Sequence, residues 1–364
     1  MIGSRRAAAL IPLLLVSMLV PVALPAVDGA DGEITVRDAL EREVTLPAVP
    51  ERIVIAGRAV ALIANALYLF PEVSDRVVAI GVTDQGLGDF FSVLDDDPGE
   101  KTRLGRSAGP EEVLARNPDL VLLKSYMRDS LGRPLETAGV PVVYLDLETP
   151  QQYARDLRIL GELLEAPGRA EDIVEAFDRR RASLDRATNR AAGAAGQPQV
   201  LLISVSARGN AVSFRVAPEG WIQGTQVDLG GGDPVWYDRA LSPGWNEVQF
   251  EQIALWDPEV IVIVSYHEPA DEVRDEVIAD DRWQTLSAVR NNEVYAMPAD
   301  FHSYGQPDTR WILGAEWIAR VLHPELFDES FRERVFSFYR EFYRMNRADY
   351  EELVEPRLSG DLLD

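Results

Sequence analysis

The sequence predicts an α/β protein made of two similar parallel-sheet α/β lobes joined by a long backbone helix, with a ligand cleft between the lobes. Three observations carry this reading. The stretch EEVLARNPDLVLLKSY, Glu111 to Tyr126, returns as EQIALWDPEVIVIVSY, Glu251 to Tyr266. Each copy opens on an acidic residue, holds Val113 or Ile253 two places on, reaches Pro118 or Pro258 at the same spacing, and stops at Ser-Tyr after an apolar block. A β-branched run of that kind suits a strand covered on both faces. Strand-like and helical runs alternate in both halves, which makes a parallel sheet the natural solution. Between the halves a charge-rich periodic run extends from Arg169 to about Ala194. At 1.5 Å per residue it would be on the order of 40 Å long, enough to cross between domains.

Taken in order, residues 1–30 read as a secretory signal. Arg5 and Arg6 form a basic start, Ala7 to Leu24 is apolar, and small residues follow. The run is close to the roughly 20 residues of a spanning helix, but Pro12, Pro21 and Pro25 interrupt it. The first lobe is expected over 31–150. It begins with a short hairpin or edge strand within Ile34 to Leu46. Strand Arg52 to Ala56 follows, then helix Ala59 to Leu69, strand Val77 to Val82, a loop around Leu104 to Ser107, the first repeat, and strand Pro141 to Leu145. Residues 151–196 are a helical linker, with helix Gln151 to Leu164, a Pro167-Gly168 break and the long charged run. The second lobe, 197–364, starts with strand Val200 to Val205. A loop carrying Arg208, Phe214 and Arg215 comes next, then helix Trp221 to Leu229, the second repeat, strand Glu293 to Met297 and helix Thr309 to Leu322. One terminal helix is expected from Phe331 to about Tyr350.

Composition narrows the function. With 36 basic and 60 acidic residues the formal charge is −24, which argues against nucleic acid as a partner. An anionic ligand stays open, because screening over roughly 8 Å lets a few local arginines outweigh distant acid. The chain has no cysteine, so disulfides, thiolate metal sites and catalytic thiols are excluded, and so is the cysteine to which a bacterial lipid would be attached. A free monomer in the periplasm of a two-membrane bacterium is the expectation.

Several motifs carry a resemblance. They are Gly109-Pro110-Glu111 followed by Asn117-Pro118-Asp119-Leu120-Val121, and Phe250-Glu251-Gln252-Ile253 followed by Asp257-Pro258-Glu259. The run Trp283 to Val289 leading into Val294-Tyr295, and Gln306 to Gly314, also belong. Together they resemble the helical-backbone family of periplasmic solute-binding proteins that serve ABC importers, which includes iron-siderophore, cobalamin, haem and molybdate/tungstate binders. The resemblance covers about residue 34 to about residue 345. It implies a permease dimer in the inner membrane and its ATPase as partners, no covalent chemistry and no resident cofactor. It also implies docking onto permease arginines through one acidic residue per lobe, which by register are Glu111 and Glu251. A glutamate in a helix's first turn also complements the helix dipole, worth perhaps 0.3–1 kcal/mol.

Ligands of open α/β sheets sit at the carboxyl ends of the strands. The candidates there are Arg58, Thr83, Asp84, Arg106, Lys124 and Tyr126 from the first lobe. The second lobe offers Arg208, Phe214, Arg215, Trp221, Tyr266, His267, Phe301, His302 and Tyr304. Arginine forks hold oxyanions or carboxylates, and aromatic tips suit a bulky organic chelate. The mixed set fits an iron complex of the siderophore or iron-citrate type, with Arg58 supported by Lys124 and Arg208. A molybdate or tungstate oxyanion is the alternative. Direct binding of a bare metal ion is disfavoured, because His267, His302 and His323 all fall in the second lobe. A chelatase-like enzyme on a related fold is the rival class, but no nucleophile elbow, phosphate loop or His-Glu-x-x-His segment appears.

Overall fold

The computed structural model describes residues 32–82, 86–208, 211–237 and 244–363, with the side chains of 192–195, 207, 208 and 211 left aside. The expected signal segment, residues 1–30, and Thr83, Asp84 and the Arg208 side chain therefore lie outside the described residues. The chain opens with an antiparallel hairpin of β1 (Ile34–Arg37) and β2 (Glu43–Leu46). Its turn is held by the buried Asp38 carboxylate, which accepts from the Leu40 and Arg42 amides and from the Arg42 guanidinium.

The first lobe is a parallel sheet of β3 (Ile53–Ile55), β4 (Val77–Gly81), β5 (Thr102–Leu104), β6 (Leu120–Lys124) and β7 (Val142–Leu145), in the order β5-β4-β3-β6-β7. The segment expected to be a loop near Leu104 thus supplies an edge strand. The second sheet contains β8 (Gln199–Arg208), β9 (Ala211–Val216), β10 (Asp233–Pro234), β11 (Asn246–Val248), β12 (Val260–Val264) and β13 (Val294–Ala296). Its order is β11-β9-β8-β12-β13, with β10 beside the start of β8. Position for position this is the order of the first sheet, so the sequence repeat reflects a repeated topology.

One connection differs between the lobes. β3 reaches β4 through a helix (Val60–Leu67), whereas β8 turns straight back into β9 as an antiparallel hairpin. β11 then runs antiparallel to β9, and so in the same sense as β8. The expected loop carrying Arg208, Phe214 and Arg215 is corrected to this hairpin. Its signal was present in Val212, Phe214 and Val216, which alternate with Ser213 and Arg215 at the strand period.

The repeat also has a mechanical role. Asn117 and Asp257, just before the two prolines, have φ of 47° and 38°, a left-handed conformation that Asn and Asp tolerate better than most residues. The acidic residue after each proline then clamps the start of the adjacent central strand. Asp119 accepts from the amides of Glu51 and Arg52 at 2.8 and 2.9 Å. Glu259 accepts from the Gln199 amide at 2.9 Å. The amides of Asp119 and Glu259 return the bond, to the carbonyls of Arg52 and Gln199. Each repeat therefore sets the register of its sheet's two innermost strands.

Helix Pro150–Leu163, whose first turn is capped by the Thr149 hydroxyl, leads into the 29-residue backbone helix Pro167–Ala195. Phe177 on the backbone helix stacks on Trp311 and packs against Phe342. The single terminal helix expected from Phe331 is two helices, Phe331–Phe342 and Arg347–Leu353. Arg344 takes a left-handed φ of 55°, and the Asn346 side chain caps the new start by accepting from the Asp349 amide.

The lobes are pinned together at Arg310. Its guanidinium is fully buried, paired with Asp300 at 2.8 Å and Asp308 at 2.7 Å. Phe90 of the first lobe lies under it, 4.1 Å from ring centre to guanidinium carbon. Asn65, also in the first lobe, donates to Asp308 at 2.9 Å. The terminal helix adds Tyr339, which donates to Asp300, and Tyr343, which donates to the Asn65 carbonyl. Removing one partner of a buried ion pair costs about 3–5 kcal/mol, because the other charge is left uncompensated. Arg310→Ala should therefore lower unfolding stability by about that amount in urea titrations. Adding Asp300→Asn and Asp308→Asn to it should recover part of the loss. Equal stability of wild type and Arg310→Ala would show that the cluster does not hold the lobes.

Candidate functional site

In the first sheet the strand order reverses at β3 and β6, the crevice where an open α/β sheet receives its ligand. Arg58 stands at the tip of β3 between two left-handed residues, Gly57 at φ 82° and Ala59 at φ 53°. A Cβ on Gly57 would lie 3.2 Å from Met127 at the tip of β6, so the two tips are in close contact there. Left-handed geometry at Ala59 is a strained conformation of the sort that gathers at functional sites. Arg58 is exposed and makes no hydrogen bond or ion pair among the described residues. Tyr126, last in the first repeat, is 58% exposed, yet surrounding protein raises its phenol to about 12; Glu148 adds to the rise and Arg58 opposes it.

Lys124 is placed differently from expectation. It is only 1% exposed; its ammonium donates to the Asp146 carbonyl and pairs with Glu148 at 2.7 Å. The expected role as a cation beside Arg58 is therefore corrected: its charge is already cancelled. Burial raises the Glu148 pKa, with Lys124 pulling it back. The Glu148 carbonyl also accepts from the Ile222 amide of the second lobe at 3.2 Å.

From the second lobe, Tyr266 ends the second repeat. Its hydroxyl donates to the Gly305 carbonyl at 3.2 Å, and its ring meets Trp245 at 6.1 Å. Trp245 in turn meets Trp221 edge-on at 5.9 Å. Burial raises the Tyr266 phenol pKa; Glu148 adds to the rise and Arg215 counters it. Glu148 thus feels both repeat tyrosines, and each tyrosine feels one arginine, Arg58 or Arg215. Arg215 has no carboxylate partner among the described residues, and its buried Nε has no acceptor. The assembled group is Arg58, Tyr126, Glu148, Arg215, Trp221, Trp245 and Tyr266. Glu148 and Trp245 were missed in the sequence. Trp245 follows Pro243-Gly244 at the approach to β11, a turn signal that could have marked it.

Other candidates lie elsewhere. Phe214 points to the opposite face of β9 from Arg215 and packs on Trp283 at 5.3 Å. Tyr304 is fully buried and donates to Asp300. Phe301 is core, packed against Phe90 in a tilted pair at 5.1 Å. These three aromatics are corrected from cleft to packing residues. Arg106, beyond edge strand β5, and His267 are exposed and already engaged by neighbours. His302 is buried, but lines a cavity of about 440 Å³ between helix Val60–Leu67, β4 and residues 86–91. The amides of Gly86 and Leu87 cross to the second lobe, donating to the carbonyls of Tyr266 and Phe301 at 2.8 Å each. A Cβ on Gly86 would come within 2.6 Å of His302 Nδ1, so this crossing requires glycine. Among the described residues no group of three or more His, Asp or Glu is arranged to hold a metal ion.

Residues 53–301 match the family model described as periplasmic binding protein. The molybdate-binding protein of Haemophilus influenzae is 23% identical over 343 residues, covering 85% of this chain and 90% of the relative. The vitamin B12-binding protein of Pectobacterium atrosepticum is 25% identical over 219 residues, covering 58% and 75%. Among solved structures, the Haemophilus protein with molybdate bound superposes with a TM-score of 0.69 at 21% identity, covering 86% of this chain and 98% of that one. A Helicobacter pylori protein solved with Ni(II) bound gives 0.68 at 19%, covering 88% and 99%. At these identities the structural likenesses speak to the fold alone.

His302 generates a prediction of its own. Burial, with Arg310 second, pulls its pKa from 6.5 to about 3. Between those values the unfolded chain binds a proton that the folded chain refuses. Stability is therefore full above about pH 6.5 and falls as pH drops, by up to about 1.4 kcal/mol per pH unit. Urea midpoints from pH 7 to pH 4 should show this slope, and His302→Gln should flatten it. A wild-type slope unchanged by the substitution would mean that His302 is protonated in the fold.

Proposed function

The chain belongs to the periplasmic binding protein family, and on that premise we propose that it is the solute-capturing subunit of an ABC importer, holding an anionic iron chelate in the cleft between its lobes. One observation carries the ligand's sign. With Lys124 cancelled by Glu148, the group at the strand tips retains two guanidiniums without carboxylate partners among the described residues, Arg58 and Arg215, in a chain of net charge −24. The aromatic wall of Trp221, Trp245, Tyr266 and Tyr126 supports an organic chelate over a bare ion. In this reading the protein is exported to the periplasm by its N-terminal signal, acts as a monomer and performs no covalent step. A bare oxyanion is the second reading, supported by the molybdate-binding relative, which aligns over 85% of this chain against 58% for the vitamin B12-binding one.

Native mass spectrometry with metal analysis identifies what the purified protein carries. Titration with ferric siderophores, ferric citrate, molybdate, tungstate, haem and cobalamin, followed by tryptophan fluorescence, then separates the two readings. Loss of a charge-assisted contact worth roughly 1.5–3 kcal/mol should make Arg58→Ala weaken binding at least about tenfold. Trp245→Ala should weaken a chelate strongly and leave a bare oxyanion nearly unaffected. Preference of the wild type for a neutral or cationic solute would overturn the anionic site.

Glu111 and Glu251 each occupy the second position of a short helix, Pro110–Leu114 and Phe250–Trp256, and both are exposed. We infer that they dock onto permease arginines. Reversing both to Arg should leave solute affinity in the purified protein unchanged and abolish uptake by cells. Normal uptake, or lost solute binding, would refute this assignment.

A further inference from the structure

Apart from the cleft, the backbone helix, helix Trp311–Leu322 and helix Phe331–Phe342 line an open pocket of about 390 Å³. Its wall is a cluster of three arginines. Glu316, 3% exposed, receives both prongs of Arg334 and pairs with Arg180 at 3.2 Å. Arg180 also pairs with Glu341 at 2.9 Å. Arg320 has no carboxylate partner among the described residues. Its guanidinium lies over Phe327 at 4.4 Å and donates only to the Glu316 carbonyl at 3.2 Å. Two buried donors of this wall, Arg180 Nη2 and Arg320 Nε, lack any acceptor among the described residues. Arg180 and Arg320 are 5% and 8% exposed, so water does not screen them freely. Glu329 at the rim also acts on Arg320 and Arg334, so what this wall leaves unmet is two buried guanidinium N–H groups rather than a net charge, and a buried donor without an acceptor is costly.

We propose that this pocket is a binding site for a small oxyanion of the phosphate or sulfate type. The unused donors come from two different helices, and the Ser183 hydroxyl stands with them in the lining. A tetrahedral ion offers acceptor oxygens in several directions, whereas a carboxylate offers them in one plane. Hydrogen bonds from guanidinium to an oxyanion are charge-assisted and short. Ser183, Asp328 and Glu329 are exposed members of the lining, and the two carboxylates disfavour bulky polyanions. The site shares no residue with the cleft group and does not depend on what the cleft carries.

The test uses the full chain. Thermal midpoints and calorimetric titrations are measured with phosphate, sulfate, glycerol phosphate, acetate and chloride at matched ionic strength, and phosphorus-31 line broadening with phosphate and glycerol phosphate. Phosphate and sulfate should raise the midpoint and bind once per chain, while acetate and chloride should not. Arg320→Gln should weaken phosphate at least about tenfold. Ser183→Asp, which puts a carboxylate in the pocket, should raise the midpoint in the absence of phosphate and abolish the response. If Arg320→Gln does not fold, the wild-type titrations and Ser183→Asp decide. Glycerol phosphate binding as well as phosphate supports a site for phosphomonoesters, and weaker binding supports one for the free ion. No broadening and no shift beyond chloride, an equal effect of acetate, or an undiminished response in Arg320→Gln overturns the proposal.

Discussion

The buried guanidinium of Arg310 is the constraint on which the arrangement of the lobes rests. Two sheets of the same strand order do not by themselves define how they face each other. That relation is set where Asp300, Asp308 and Arg310 meet Asn65 and Phe90 across the lobe boundary. Burial raises the Asp308 pKa and Arg310 lowers it again, so the carboxylates and the guanidinium depend on one another. The terminal helix joins the cluster through Tyr339 and Tyr343, which explains why an aromatic-rich segment beyond the second sheet is part of the fold. The backbone helix sets the separation of the lobes, and the Arg310 cluster sets their contact.

Much of the fold was legible because its signals are local and repeated. Pro118 and Pro258, the β-branched runs after them, and the acidic residues that clamp β3 and β8 are all visible as spacing. The long helix was legible from its charge pattern. The hairpin of β8 and β9 was missed because the alternation of Val212, Phe214 and Val216 is short and lies beside polar residues. The break between the two terminal helices was missed because it depends on one left-handed residue, Arg344, and on a cap at Asn346.

The candidate site was legible by position but not by partnership. Strand-tip reasoning put Arg58, Tyr126 and Tyr266 just past strand ends, which is where the structure has them. It could not say that Lys124, at an equally good position, would turn inward to Glu148, because that pairing joins the tips of β6 and β7 across 24 residues of sequence. Nor could it separate Phe301, His302 and Tyr304, three near neighbours on one loop. Two of them pack in the core and one faces a cavity. Such differences are decided by tertiary packing, which the identity of a side chain does not encode.

The hairpin that replaces a crossover in the second sheet has a consequence for recognition. Two lobes related by a true dyad would offer a guest two equivalent poses, a gain of only RT ln 2, about 0.4 kcal/mol, and would leave its direction undefined. Here the walls are unlike: one arginine stands on a strained turn after a parallel strand, and the other projects from an antiparallel strand beside two tryptophans. On the proposed function, a guest with unlike ends would be held in a single sense. A permease receiving it would then meet the same end first.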